Sequence, residues 1–369
     1  MPLNVVKAGQ ETIAVEVTER FREKTEPFFW PLIGDYPLYD RYIYLVMMAD
    51  PEREAVYEAA IQRNCRDKVV VDVGTGDTAI WALAAARAGA RKVYALEENP
   101  KSAARARKVI AEAGFESIIE VLEGRSDTLE VIETADLMIS EVIGEIGGSE
   151  GTAAVLNDVR NRWLKPDARS IPARCLTWAC PVELPDAVME HPKLELMGRR
   201  YVEQIFQLAD TPFDLRLTLD NCFPEIESGR LSAPAVMEDL NFGAHCPTDY
   251  ETTHRFEITK SGRFDGIILW IELFADEIEP GISSMTPGSN WRPVFLPLFS
   301  PGAKVAEGDE IVLEWSSRLS EDGHHPDYTA KATLRSESGT HTAALRLPRY
   351  GTADDFRQNA FYEKLFPRD

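Results

Sequence analysis

The stretch from Lys68 to Ile139 constrains this chain more than any other. Continuous apolar runs there alternate with alanine-rich ones. Lys68-Val69-Val70-Val71-Asp72-Val73 is followed by Ile80 to Ala88, then Lys92-Val93-Tyr94-Ala95-Leu96 ending in Glu97, then Lys101 to Ala113. A short run near Ile118-Ile119-Glu120-Val121 and another at Asp136 to Ile139 complete the series. Unbroken apolar strands are what a sheet buried on both faces requires. Strand, helix, strand, helix in this order predicts a doubly wound, Rossmann-like parallel sheet with right-handed crossovers. Upstream, Tyr39 to Ile61 reads as helical with a break near Pro51, where Asp50-Pro51-Glu52 supplies an N-cap, a proline at N1 and an acid in the first turn.

The character changes after Pro172. Leu176 to Val182, Phe256-Glu257-Ile258, Gly266 to Phe274, Ile311 to Trp315 and Ala330 to Leu334 are short, β-branched and aromatic, with Gly, Pro and Asp between them. That pattern predicts an antiparallel sandwich or barrel. One helical insert, Pro192 to Ala209, carries Leu194, Leu196, Tyr201, Ile205, Phe206 and Leu208 on a face that needs a partner. The first 35 or so residues are mixed. They include an aromatic-proline segment, Pro27-Phe28-Phe29-Trp30-Pro31, suited to covering a site or docking elsewhere.

A chain of 369 residues is long enough for two domains of about 150 residues or more. The formal net charge is −21, from 61 acids against 40 bases, which argues against a nucleic-acid or anionic-membrane surface and is compatible with cationic partners. Five cysteines, Cys65, Cys175, Cys180, Cys222 and Cys246, are scattered and form no CxxC pair. They read as reduced thiols, not as a disulfide scaffold or a metal site. No basic-then-apolar leader opens the sequence, and no run approaches the ~18 apolar residues of a membrane span. A soluble cytoplasmic protein is expected.

Asp72-Val73-Gly74-Thr75-Gly76-Asp77-Thr78-Ala79 joins the first strand to its helix. Gly74 and Gly76 would let backbone approach a ligand closely, and Glu97, at the end of the second strand, is placed to accept both hydroxyls of a ribose. A nucleotide or nucleoside ligand follows. With Ala79 in the last slot the turn also satisfies a loose dinucleotide fingerprint. Asp72 directly before the turn and Asp77 within it would repel a pyrophosphate, whereas the zwitterionic tail and sulfonium of S-adenosylmethionine tolerate them. Asp127, after Gly124-Arg125-Ser126, could accept from an adenine amino group.

Beyond Ile139 runs Ser140-Glu141-Val142-Ile143-Gly144-Glu145-Ile146-Gly147-Gly148-Ser149-Glu150. A loop there lies at the carboxyl edge of the sheet, where ligands bind, and folding back would bring Glu141 and Glu150 to one point. Two carboxylates at one point suit a guanidinium, planar and permanently charged, with a fork of donors. Taken without context, the pair would be two solvated loop acids.

Together these residues resemble the protein arginine methyltransferase family. Asp67 to Gly76 is similar to its cofactor motif, Ala84 to Val93 to the following helix and turn, and Glu141 through Glu150 to its double-glutamate loop. Trp163-Leu164-Lys165-Pro166-Asp167 and Ile171-Pro172-Ala173-Arg174 resemble its passage from sheet to barrel. Ser284-Met285-Thr286-Pro287 with Ser289-Asn290-Trp291-Arg292 resembles its later threonine-histidine-tryptophan loop. The resemblance implies an N-terminal segment over 1–40, an S-adenosylmethionine-binding Rossmann-like domain over 41–172, and a β-barrel substrate domain over 173–369 with a helical dimerisation arm at about 185–215. It implies S-adenosyl-L-methionine as cofactor, S-adenosyl-L-homocysteine as its product, no metal, and a homodimer.

Residue by residue, the resemblance implies that Asp72, Gly74, Gly76, Glu97 and Asp127 bind the cofactor, with Arg53 on its carboxylate. Glu141 would clamp the guanidinium, Glu150 would also take its proton, and Met47, Tyr44, Asn290 and Trp291 would line the substrate side. Departures cluster on that side. Thr78 replaces the third glycine, Asn290 stands where the family has its loop histidine, Thr152 where many relatives have methionine, and Tyr44 where the family has another histidine. Thr253-His254-Arg255 mimics the loop motif but lies too early. The expected activity is guanidino N-methylation of free arginine, a related small molecule or protein arginine. The competing readings are a small-molecule N- or O-methyltransferase with another acceptor, and a catalytically weak dimeric scaffold.

Overall fold

The computed structural model describes residues 3–8, 11–16, 26–32, 50–194, 196–208, 210, 215–337, 339–348 and 358–366. Its first half is a five-stranded parallel sheet. From one edge to the other the strands are Ile119–Glu123, Lys92–Glu97, Val69–Val73, Ala135–Ser140 and Leu164–Ile171. The earliest strand, Val69–Val73, is central and buried at every position, as its unbroken valines require. Strand order reverses between it and Ala135–Ser140, where Val73 lies opposite Ser140. The turn after Val73 and the loop after Ser140 therefore flank the topological switch point, where a doubly wound sheet opens its ligand crevice.

The expected parallel strands and their helices are present, with Pro51–Asn64, Ile80–Arg87 and Pro100–Ala113 as helices. Asp50 caps the first of these by accepting from the Arg53 backbone N–H at 3.0 Å. Its helical stretch upstream of Asp50, like Tyr44 and Met47 within it, lies outside the described residues. Two elements had no clear sequence signal. Helix Thr152–Trp163 begins after Gly151, whose φ of +80° turns the chain in from the glutamate loop. Leu164–Ile171 is a fifth parallel strand although it contains Pro166. An edge strand tolerates proline because one side of its backbone needs no partner.

The second half is antiparallel, as its short strands predicted, but its sheets are separate. One runs Ala235–Asn241, Arg174–Val182, Gly266–Phe274, Val294–Leu296, Arg216–Asp220 and Phe28–Leu32 in spatial order, with Ile282–Ser283 paired to Gly266–Phe274. Another runs Tyr250–Glu257, Glu310–Leu319, Pro326–Ser336 and Gly339–Leu347. They share one apolar core, with Leu269 and Phe295 from the first and Ile311, Leu313 and Ala330 from the second. Gly262–Phe264 and Ala303–Val305 form a further two-stranded pair, and among the described residues these sheets remain separate without closing into the expected barrel. The aromatic-proline segment is the edge strand Phe28–Leu32, antiparallel to Arg216–Asp220. Strand Gly266–Phe274 ties the halves together, for Leu269 belongs to the antiparallel core while Ile271 and Leu273 pack in the core of the parallel sheet.

The helical insert forms Leu196–Leu208, and part of its apolar face packs on the same chain. Val202 and Ile205 are buried in the antiparallel core, Tyr201 stacks on Trp30 with centroids 5.9 Å apart, and Phe206 meets Phe366 at 5.6 Å. No described helix is long and apolar enough to cross a membrane. All five cysteines are buried free thiols.

Candidate active site

A cleft of about 900 Å³ opens at the switch point, lined by the glycine turn, Glu97, Asp127, Arg53, Glu141 and Glu150. Gly74 and Gly76 both adopt left-handed φ, +73° and +67°. A Cβ on Gly74 would also stand 3.2 Å from Val142 Cγ1, so the turn packs directly against the glutamate loop. Glu97 accepts from the backbone N–H groups of Gly76 at 2.8 Å and Asn99 at 2.9 Å, which fixes its carboxylate at the cleft wall. Burial still raises its pKa against those two bonds.

Asp72 is fully buried beneath the turn. One carboxylate oxygen accepts from Thr75 Oγ1 at 2.6 Å, and the other makes no close hydrogen bond among the described residues. Desolvation pushes its pKa up to about 7. At the opposite end, Arg125 grips Asp127 through Nε at 3.1 Å and Nη2 at 2.8 Å. That bond is the main reason the Asp127 carboxyl lies below its ordinary range. His324, on the hairpin after Glu310–Leu319, reaches this pair from the antiparallel half, its Nε2 3.9 Å from Asp127 Oδ2.

In the glutamate loop, Glu141 Oε1 lies 2.6 Å from Arg53 Nη1. Arg53 is 1% exposed and its guanidinium stands 5.7 Å from the Trp81 ring centroid. Burial raises the Glu141 pKa while Arg53 pulls it down. Glu150 shares the cleft but makes no ion pair among the described residues. Burial, then the charges of Glu145 and Glu141, drive its pKa well above the carboxylate range. Glu145 is pushed up to about 7, chiefly by burial.

The loop holds this shape because the antiparallel half ties down its backbone. Gly147 N–H donates to Thr177 Oγ1 at 3.0 Å and Gly148 N–H to Glu238 at 2.9 Å. Glu238 also accepts from Thr177 Oγ1 at 3.0 Å and Tyr250 OH at 2.9 Å. Thr152 Oγ1 donates to the Gly147 carbonyl at 2.9 Å. Side chains at Gly147 or Gly148 would collide, with Cβ atoms 2.9 Å from Cys175 Sγ and 2.8 Å from Glu238 Oε1 respectively.

Two residues expected to line the substrate side have contacts with the surrounding loops. Trp291 is 5% exposed and its indole N–H donates to the Ile143 carbonyl at 2.8 Å, so it braces the glutamate loop from behind. Asn290 donates its backbone N–H to Asp50 Oδ2 at 2.9 Å and is not part of the cleft wall. His254 lies mid-strand in Tyr250–Glu257, away from the cleft. Trp81 and the hairpin histidines His324 and His325 also line the cleft, and Glu238 supports its glutamate loop, although none of these four was marked by a motif. Glu238 is 90 residues from Gly148 and carries no local signal.

Residues 55–147 match the family model for ribosomal protein L11 methyltransferase. The rice (Oryza sativa subsp. japonica) protein arginine N-methyltransferase PRMT10 is 37% identical over 139 residues, 37% of this chain and 36% of that protein. The zebrafish (Danio rerio) protein arginine N-methyltransferase 6 is 35% identical over 163 residues, 42% of this chain and 46% of that one. The matched segment thus spans less than half the length of these relatives. Among solved structures, Arabidopsis thaliana protein arginine methyltransferase 10 superposes with a TM-score of 0.64 at 20% identity, covering 84% of this chain and 97% of that one. The Trypanosoma brucei PRMT1 enzyme-prozyme complex with AdoHcy gives 0.64 at 19% identity, covering 83% and 98%. This chain is homologous to the protein arginine N-methyltransferases and shares their fold.

Proposed function

We propose that the protein is an S-adenosylmethionine-dependent N-methyltransferase whose acceptor is a guanidino group. One observation carries this reading: Glu141 and Glu150 share the wall of a cleft that also contains the glycine turn and Glu97. The residues suit the cofactor. A fixed carboxylate for ribose hydroxyls, a backbone turn open to close approach and a buried guanidinium at Arg53 match a nucleoside joined to an amino-acid tail. When bound, S-adenosylmethionine supplies an electrophilic methyl group.

The chain's own residues then have an orienting and electrostatic task. Glu141 and Glu150 hold the positive charge of the guanidinium on one side, leaving the remaining nitrogen richer in electron density. Glu150, with its raised proton affinity, accepts the proton that the nitrogen sheds. Glu97, Asp72, Gly74 and Gly76 position the cofactor, with Asp127 sharing its carboxylate between Arg125 and the adenine amino group. Arg53, already hydrogen-bonded to Glu141, has further donors for the cofactor carboxylate.

Homodimerisation belongs to the same proposal. The arm around helix Leu196–Leu208 would supply its contact surface, docking on the partner's cofactor-binding domain, with Leu194, Tyr201 and Phe206 only partly buried in their own chain. Light scattering at micromolar concentration tests it, and a fully active monomer would remove it. Mass spectrometry of methylated products tests the main reading, with the protein and cofactor offered free arginine beside an arginine-rich peptide. Methylation of either supports the guanidino assignment and decides between small-molecule and peptide acceptors. Methylation of neither, with cofactor binding intact, favours another acceptor.

A further inference from the structure

The turn between strands Glu310–Leu319 and Pro326–Ser336 belongs to the antiparallel half, yet its Asp322, His324 and His325 line the cofactor cleft. Asp322 makes the turn rigid. Its Oδ1 accepts from Ser320 Oγ at 2.8 Å and from the backbone N–H groups of His324 at 2.8 Å and His325 at 3.0 Å. Its Oδ2 lies 2.8 Å from His325 Nδ1. The backbone that follows rests on Gly151, where a Cβ would stand 3.2 Å from the His324 carbonyl oxygen. The turn is therefore seated on the residue after Glu150, and from that seat the His324 ring reaches Arg125.

Arg125 Nη2 donates both to Asp127 Oδ2, at 2.8 Å, and to His324 Nε2. A guanidinium has no acceptor, so Nε2 must offer its lone pair. The side chains of Arg125 and Asp127 are each more than a third exposed, and such a pair by itself is held weakly. The third partner, brought from the other half of the chain, fixes the fork of the guanidinium. That fork, with Nε on Oδ1 and Nη2 on Oδ2, in turn fixes the plane of the Asp127 carboxylate. Each oxygen keeps a lone pair for a ligand N–H. We propose, resting on the reading above that Asp127 meets the adenine amino group, that His324 is a positioning residue acting through Arg125 to make this end of the cleft select a 6-amino over a 6-keto purine. A carboxylate held in one plane accepts from an amino group and repels a carbonyl oxygen at the same point. A mobile one turns aside and rejects little.

Calorimetry of the full chain with S-adenosylhomocysteine and with S-inosylhomocysteine, its deaminated analogue, tests this. The wild type should bind the adenosyl compound ~10-fold or more tightly than the inosyl one, as a hydrogen bond to a charged group requires. His324→Leu keeps bulk and removes the acceptor. It should weaken adenosyl binding ~5-fold or more and change inosyl binding less than ~2-fold. His324→Gln, whose amide oxygen takes the place of Nε2, should restore the preference. Arg125→Ala should lose the preference too, and adding His324→Leu to it should change nothing further, because the two act in series. Equal losses for both ligands in His324→Leu, an unchanged preference, or additive effects in the double variant overturn the positioning role while leaving the cofactor assignment standing. A wild type that binds both ligands equally overturns the Asp127 contact and the proposal with it. No binding of either ligand overturns the cofactor reading as well.

Discussion

Arg53 Nη1 meets Glu141 Oε1 at 2.6 Å across 88 residues of sequence, joining the helix before the parallel sheet to the loop after its fourth strand. The pair is nearly dry, and Arg53 is 1% exposed. Removing one partner leaves an uncompensated buried charge. Arg53→Ala should therefore lower stability by about 3–5 kcal/mol in urea unfolding. A loss below about 1 kcal/mol would mean that the pair is open to water in solution.

Glu150→Gln keeps the size of the side chain and removes its charge. Turnover on the true acceptor should fall ~100-fold or more, as when a key electrostatic stabiliser is lost. Cofactor affinity, measured by calorimetry, should change far less. Normal rates would end the clamp assignment.

Glu238 never enters the cofactor cleft, yet it accepts from Gly148 N–H, Thr177 Oγ1 and Tyr250 OH. Glu238→Leu should unfix the glutamate loop from below, costing about 1.5–3 kcal/mol, the range for one hydrogen bond to a charged group. Thermal unfolding and single-turnover kinetics should fall together. Intact turnover in this variant would show that the loop keeps its shape unaided.

Asp72 provides a pH signature. Its folded pKa of about 7 lies above the ordinary value of 3.8, so the folded state holds a proton that the unfolded chain has already lost. Its cost to stability is absent below about pH 4, grows as the pH rises and is complete above about pH 7. Asp72→Asn should therefore gain on the wild type by about 1–3 kcal/mol between pH 4 and pH 8, and this should appear as a widening gap between their melting temperatures. A gap independent of pH would show that Asp72 stays ionised in the fold.

Gly144→Ala places a methyl group 2.0 Å from Ser149 Oγ. The loop must shift, at a cost of about 1–3 kcal/mol. Turnover should fall more steeply than cofactor affinity. Equal losses in both would point to a change spread across the whole cleft.

Most of the parallel half was legible, its helix Thr152–Trp163 and edge strand excepted. Val69 to Val73, Lys92 to Glu97 and Ala135 to Ser140 are largely apolar because a sheet covered on both faces favours such runs, so composition located them. The glycine turn was equally plain, since Gly74 and Gly76 occupy backbone conformations that other residues rarely adopt. Strand Leu164–Ile171 was missed because an edge position relaxes the rules that mark a strand, Pro166 included.

What the sequence determined by itself is whatever depends on neighbours along the chain: alternation, capping by Asp50, the glycine turn and the spacing of the glutamates. Tertiary structure decided the rest. It packed Val202 and Ile205 of helix Leu196–Leu208 into the core of the same chain, tied Trp291 to the glutamate loop and drew in Glu238 from a distant strand. Burial and hydrogen bonding between remote segments fix those outcomes, and neither leaves a periodic trace in the residues that take part.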